Sequence, residues 1–377
     1  MFQNIIFTKI EKKNDVGRLI EAMVFYQKAI VVASQANIGF ILQHFGISET
    51  LELIDEGYLE LKYCENVAAA FDHNSRYDVV FISSPEYDLK KVVGKIILEN
   101  GGIRGSIQKE AKKVVDKIKI DNCENQILIS ARNKMMDQSY ILEATKLIIN
   151  DFDPTYPLNK VVFKTQKSNK MIEVESNLDL QSLNLRYQQY KPNSSFSISS
   201  IFAEIVSIES EIYFASQNNS ELNTNELSNT LISQSIDNEI SKLAFNKKAN
   251  LNLFQNQILN CRNISDAYNK GLIDFRTLLS ILKKSQKFKE WLSKSNADQD
   301  LLKEYIKEIE KIDFINSLPT KVFRWIVFSI LFSDLLKDPS ALVIATSILD
   351  NFVLDKIFKG WKPNQFVNCL DQSIKPK

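Results

Sequence analysis

Ala29-Ile30-Val31-Val32-Ala33 is an unbroken apolar run set between Lys28 and Ser34. A half-exposed strand alternates apolar with polar residues, so a short run without alternation reads as a strand covered on both faces, the signature of a parallel sheet. Upstream, Ile5-Ile6-Phe7 reads as another strand. Between the two, Asp15 caps a helix through Tyr26 with Val16, Leu19, Ile20, Met23 and Val24 on one face. Downstream, Ser34 to Phe45 reads as a helix, and Ser48 to Glu56 as a second one closed by Gly57. Tyr58-Leu59-Glu60-Leu61-Lys62-Tyr63 alternates like a half-exposed strand. Asp78-Val79-Val80-Phe81-Ile82 reads as a second central strand, and Asp88 to Glu99 as a helix. Strands separated by helical stretches predict an α/β layer with a small mixed or parallel sheet.

Past Ile103 the pattern turns helical, around Ile107–Ile118 and Ile127–Ile149, until Asp153-Pro154-Thr155-Tyr156-Pro157 breaks it. Lys160–Thr165 and Lys170–Glu175 predict a hairpin, and a short helix from Asp179 to Tyr190 leads to the turn-forming cluster Lys191-Pro192-Asn193-Ser194-Ser195. From Ser197 onward no strand is expected. Ile198, Ile201, Phe202, Ile205 and Ile208 keep helical spacing, as do Leu227, Leu231, Ile232, Ile236 and Ile240. Further helices are expected at about Ile273–Lys284, Phe288–Ser293, Asp300–Ile312, Val322–Leu336 and Ser340–Phe358. The fold class expected is mixed α+β and α/β: an α/β domain over residues 1–155, a β-hairpin connector over 156–192 and an all-α helical domain over 193–377.

Composition narrows the chemistry. The 377 residues hold 47 Lys and Arg against 46 Asp and Glu, so no overall charge draws the chain to nucleic acid or an anionic membrane. Only 10 glycines are present, which argues against repeated Gly-rich phosphate loops. Cys64, Cys123, Cys261 and Cys369 are scattered singly, without the paired spacing of a zinc site or the density of a disulfide framework. No metal and no cofactor is expected. The start Met1-Phe2-Gln3-Asn4-Ile5-Ile6-Phe7 lacks the basic, then apolar, plan of a secretory signal, so a cytoplasmic location is expected. Lys far exceeds Arg and Asn and Ile are abundant, a usage common in AT-rich bacterial genomes.

Charge is strongly segregated. Pro192 to Ser241 contains no Lys or Arg but seven acids: Glu204, Glu209, Glu211, Glu221, Glu226, Asp237 and Glu239. Residues 242–289 then carry ten cations against Asp266 and Asp274. A basic face containing Lys283, Lys284, Lys287 and Lys289 suits nucleic acid, with the acidic segment able to occupy it; solvated helices of opposite charge are the plainer account. A second basic cluster, Arg104, Lys109, Lys112 and Lys113, follows Gly101-Gly102-Ile103-Arg104-Gly105. Such a turn at a helix start suits phosphate, although Gly101-Gly102 also serves as a helix C-cap.

Three weaker features remain. Ser83 and Ser84 end a strand read as parallel, where α/β sheets bind ligands. Glu173 and Glu175, two apart on a strand, share a face and form a carboxylate pair of the kind that holds a divalent cation, or simply a charged strand edge. His44 and His73 have no partner at catalytic spacing. The apolar stretches Trp325–Ser333 and Pro339–Leu349 fall short of the roughly 18 residues of a spanning helix and read as a buried hairpin that a conformational change could insert. The function expected is a non-enzymatic, cytoplasmic bacterial binding or assembly protein. It would act through the charged helices with a protein partner or as a homo-oligomer, in a stress or phage-defence setting. The alternatives are nucleic-acid binding or processing through the basic clusters, and a membrane-active effector that leaves the membrane alone at rest.

Overall fold

The computed structural model describes residues 4–10, 13–32, 34–73, 76–83, 86–99, 107–121, 123–168, 171–218, 220–243, 267–294 and 323–326. Residues 29–32 of the apolar run lie in strand β2 (Lys28–Val32), flanked by β1 (Asn4–Phe7) and α1 (Lys13–Phe25) before it and α2 (Gln35–Phe45), α3 (Ile47–Asp55) and β3 (Leu59–Cys64) after it. β1 runs parallel to β2 with Ile6 opposite Ile30, and β2 parallel to β3 with Val31 opposite Leu61. The chain continues through β4 (Asn66–His73), β5 (Arg76–Ser83), α4 (Glu86–Glu99), α5 (Ile107–Val115) and the short β6 (Lys119–Asp121), which adds to β3 in parallel. Next come α6 (Gln126–Met136), α7 (Gln138–Phe152), β7 (Phe163–Ser168), β8 (Met171–Ser176), α8 (Leu180–Tyr190), α9 (Ile198–Gln217), β9 (Ser220–Thr224), α10 (Glu226–Leu243), α11 (Phe275–Lys294) and β10 (Phe323–Ile326).

Two sheets result. One has the order β10-β9-β1-β2-β3-β6, parallel except for β10; the other is antiparallel, in the order β4-β5-β8-β7. The strand period of two divides the parallel sheet between two cores. Ile5, Phe7, Ala29, Val31, Leu59, Leu61 and Tyr63 pack with α1, α2, α4, α5 and α11, whereas Ile6, Ile30 and Leu222 pack with α6, α7, α9 and α10. Burial on both faces is what the run at residues 29–33 demands. From β1 the chain steps through β2 and β3 to β6, then returns to place β9 on the other side of β1, so the strand order reverses between β1 and β9.

Several expectations are corrected. The segment after Ser197 is not strand-free: β9 enters the parallel sheet beside β1, with Ile6 opposite Leu222, and β10 pairs with its far edge. Ser220-Glu221-Leu222-Asn223-Thr224 has one aliphatic residue, so hydrophobic patterning is silent there; β1's edge supplies the pairing, and the hydroxyl of Tyr26 donates to the buried Glu221 carboxylate. Residues 323–326, expected as helix, are the strand β10. β3 is a central strand rather than a half-exposed one. Its Glu60 is buried between Lys28 on β2 and Lys119 on β6, each 2.8 Å away, so the polar half of its alternation is neutralised by ion pairs with neighbouring strands. Burial pushes the Glu60 carboxyl up, but the two ammoniums outweigh it and hold its pKa below the usual range.

β5 is also not a parallel strand. It returns from β4 as the second arm of a hairpin, Val67 opposite Ile82, with one face exposed. The expected hairpin after residue 160 forms, and β8 joins β5 to extend that sheet. The helix expected over Ile127–Ile149 is two, because the Asp137 side chain accepts from Tyr140 N and starts a new helix there. The two helices expected between Ile273 and Ser293 are one, α11. Among the described residues no helix is long and apolar enough to cross a membrane; residues 327–377, with most of the apolar hairpin, lie outside them.

Leu222 is fully buried in the second core. Leu222→Ala should therefore cost about 2–5 kcal/mol, whereas Leu185→Ala, at a side chain 65% exposed, should cost under about 0.5 kcal/mol. Urea unfolding of the full chain checks both.

Candidate ligand-binding cleft

The carboxyl ends of the parallel strands open into a cleft of about 480 Å³. One wall is built by the residues that end or follow β1, β2, β3 and β6: Thr8 and Lys9, Val32 and Ser34, Tyr63 and Cys64, and Cys123. Facing them is α9, through Ala203, Val206, Ser207, Ser210, Glu211 and Phe214. The third side is β4, through the consecutive residues Val67 to Ala70. Strand side chains alternate, so four successive residues on one wall mean that the main-chain edge of β4 borders the space. β4 ends its sheet, and three of the four residues are alanine, whose small side chains leave that edge open.

Asn37 fixes the floor. Ser34 caps α2 by accepting from Asn37 N at 3.1 Å. The buried Asn37 amide donates to Thr8 O at 2.9 Å and to Val32 O at 2.7 Å, and its oxygen accepts from Ile10 N at 3.1 Å. One side chain thus satisfies main-chain groups from the ends of both β1 and β2. It also fixes the spacing of these two strand ends on the floor of the cleft.

The polar centre is an ion pair between Lys9 Nζ and Glu211 Oε1 at 3.1 Å; the Ser207 hydroxyl also donates to Glu211, at 3.4 Å. The Glu211 side chain is 4% exposed and that of Lys9 36%, so the carboxylate is interior and the ammonium reaches outward. Burial pushes the Glu211 carboxyl above its usual range, against the opposing pull of Lys9. Cys64 and Cys123 are buried side by side with Ile127, next to Ala68, Phe81 and Phe214.

Of the residues weighed for chemistry from sequence, the acid Glu211 and the cysteines Cys64 and Cys123 are the ones that line this cleft. Of the seven acids in the cation-free segment, Glu209, Glu211 and Glu221 are buried, because α9 and β9 run through the interior; the side chains of Glu226, Asp237 and Glu239 lie outside the described residues. Glu209 accepts from the hydroxyls of Ser130 and Ser235. Ser83 is exposed at the end of β5, opposite Asn66, and loses the parallel-strand argument made for it; Ser84 lies outside the described residues. Glu173 and Glu175 are taken by separate cross-strand cations, Arg76 at 2.9 Å and Lys164 at 3.9 Å. No group of three or more His, Cys, Asp or Glu side chains converges as a metal site among the described residues. His44 stacks on Phe40, ring centres 4.1 Å apart, and His73 is exposed at the end of β4.

Of the basic residues, Lys109, Lys112 and Lys113 form the exposed stripe of α5, whose other side buries Ile107, Ala111, Val114 and Val115. Arg104 and its Gly-rich turn lie outside the described residues, as does the side chain of Lys287. Lys283 and Lys284 are exposed on α11 beside Arg276. Lys289 does not join them. It is 1% exposed, its ammonium stands 4.7 Å from the centre of the Tyr58 ring, and burial lowers its pKa to about 7. It follows Lys284 by five residues, which turns it to the face that carries Leu278, Ile281 and Leu282 into the core.

The cleft was not legible as a site because its residues come from six separate elements and include no motif. Asn37 gave no signal beyond its place at a helix start. No protein-family model, curated protein or solved structure matches the chain.

A raised folded-state pKa at Glu211 means that its contribution to stability is complete below the unfolded carboxyl value of about 4.3 and is lost as pH rises through the folded value. Glu211→Gln removes this dependence. Relative to the variant, the parent chain should lose stability as pH climbs from about 4.3 toward neutrality, measured as urea midpoints over a pH series.

Proposed function

We propose that this chain is a binding protein whose ligand is a small, largely apolar molecule with one polar group, held in the cleft at the carboxyl edge of the parallel sheet. The observation that carries the reading is the coincidence of that edge with an apolar-walled space containing the Lys9–Glu211 ion pair. In open α/β sheets ligands gather beyond the strands' carboxyl ends, where the connecting loops diverge and leave main-chain groups uncovered. Ligand pockets of roughly 300–1,000 Å³ are mostly apolar with a few orienting polar groups, and about 480 Å³ lined by Val32, Val67, Val206 and Phe214 fits that description. The serine hydroxyls of the α9 wall are engaged within the protein. The Ser207 hydroxyl is held by Glu211, and the Ser210 hydroxyl by Val206 O at 2.8 Å.

Anilinonaphthalene sulfonate, an apolar ring system with one charged group, is a suitable probe. Its fluorescence should rise and saturate with the folded chain. Ala203 is exposed at the cleft wall, so Ala203→Trp fills the space without entering the core and should weaken binding at least about tenfold. Leu185→Trp, at an exposed site outside the cleft, should leave it unchanged. Equal binding by the Ala203→Trp variant and the parent would overturn the assignment.

A second reading, polyanion binding, rests on α11. Its exposed side brings Arg276, Lys283 and Lys284 along a shallow groove with Leu279 and Ser280. Three cations on one helix face suit a phosphate backbone, whose binding weakens with salt as counterions are released. Reversing all three to Glu should abolish retention of single-stranded RNA at low salt, scored by filter binding across a salt series; undiminished retention removes this helix from the reading.

A further inference from the structure

We propose that Cys64 and Cys123 form a dithiol that a hydroperoxide oxidises to an intramolecular disulfide in the wall of the cleft. Sequence keeps these cysteines far apart, but the fold joins them. Cys64, the last residue of β3, is in register with Asp121, the last residue of β6, and Glu65 N donates to Asp121 O at 3.3 Å. Two residues beyond Asp121 the chain delivers Cys123, and both free cysteines are buried in one small cluster with Ile127. Isolated buried thiols are ordinarily inert because nothing stabilises the thiolate and no oxidant reaches it. Both conditions differ here. Cys64 and Cys123 both line the cleft, so a molecule as small as hydrogen peroxide has a path to them.

The pair is also asymmetric. The neighbouring Cys123, together with burial, pushes the Cys64 thiol up, whereas the neighbouring Cys64 lowers Cys123 against burial and the nearby Asp121 carboxylate. Lys62 and Asp121, 3.8 Å apart, are the charged groups beside them. In the proposed reaction Cys123 attacks and Cys64 resolves.

The Cys123 thiolate attacks one peroxide oxygen, the O–O bond breaks, and hydroxide leaves to take up a proton as water, giving a Cys123 sulfenic acid. The Cys64 sulfur then attacks Cys123 Sγ, the S–S bond forms and the S–O bond breaks. The Cys64 proton and the departing hydroxide leave as the second water. Two thiols lose two electrons and one peroxide becomes two waters. The product would clamp the end of β3 to the turn before α6, stiffening one wall of the cleft. The inference does not depend on which ligand, if any, the cleft holds.

The test treats the folded full-length chain with hydrogen peroxide at low molar excess, then alkylates and maps peptides by mass spectrometry without reduction. The expected result is a mass loss of about 2 Da, carried by a linked species containing Cys64 and Cys123 and reversed by dithiothreitol. In Cys64→Ala no resolving thiol is present, and Cys123 should proceed to sulfinic acid, a gain of about 32 Da. Because the alanine variant risks misfolding, the parent chain alone also decides. Recovery of Cys64 and Cys123 as separate alkylated peptides after oxidation overturns the proposal, and so does linkage of either one to Cys261 or Cys369.

Discussion

Everything in this structure depends on a parallel sheet that must be covered on both faces. β1 sits between β2 and β9, and its three apolar residues divide two to one face and one to the other: Ile5 and Phe7 against Ile6. A parallel strand of this kind leaves no face for water, so each face needs a helical layer. The first crossovers provide α1 to α5 on one side, and the return toward β9 provides α6, α7 and α9 on the other. Covering the faces leaves the strand ends. At the carboxyl end the space between the sheet, α9 and the edge of β4 is not filled by side chains, and the cleft is that remainder.

The same constraint explains the polar groups inside. Burying a carboxylate costs it hydration, which hydrogen-bonding and charged partners offset wholly or in part. Glu60 has Lys28 and Lys119, Glu209 has two serine hydroxyls, Glu211 has Lys9, and Glu221 has Tyr26. Lys134 follows the converse pattern, donating to Ser235 O at 3.0 Å with its ammonium 4.8 Å from the Tyr140 ring centre. Each of these partners lies on a different element from the group it satisfies. The interior is thus pinned by polar contacts between layers as well as by apolar packing. Three acids of the cation-free stretch, Glu209, Glu211 and Glu221, are thus interior and held by hydroxyls and by Lys9.

Legibility followed the apolar pattern closely. β1, β2 and most helices of the first half were readable because their side chains repeat at periods of two or 3.6. Ser34, Asp179 and Gly57 marked helix ends through capping chemistry that is local to the chain. β4, β6 and β9 were not readable. Asn66–His73 contains three alanines and no dominant alternation, Lys119–Asp121 is three exposed residues, and Ser220–Thr224 is mostly polar. Their strand character comes from the open edges of β5, β3 and β1, a property of the neighbours. The cleft was hidden for the same reason, since it is assembled from strand ends, one face of α9 and a strand edge.

The sequence by itself pointed to a two-sided sheet wrapped in helices, because an apolar run as short as residues 29–33, set between helical stretches, favours a strand buried on both faces. It also determined where many helices begin and stop, since capping acts within a few residues. Only the tertiary structure decided which strands lie side by side, which acids are interior, and that Cys64 and Cys123 meet. Those outcomes depend on pairing between segments as distant as Asn4–Phe7 and Ser220–Thr224. Such pairing is chosen by the free energy of the whole assembly, and no local pattern encodes it.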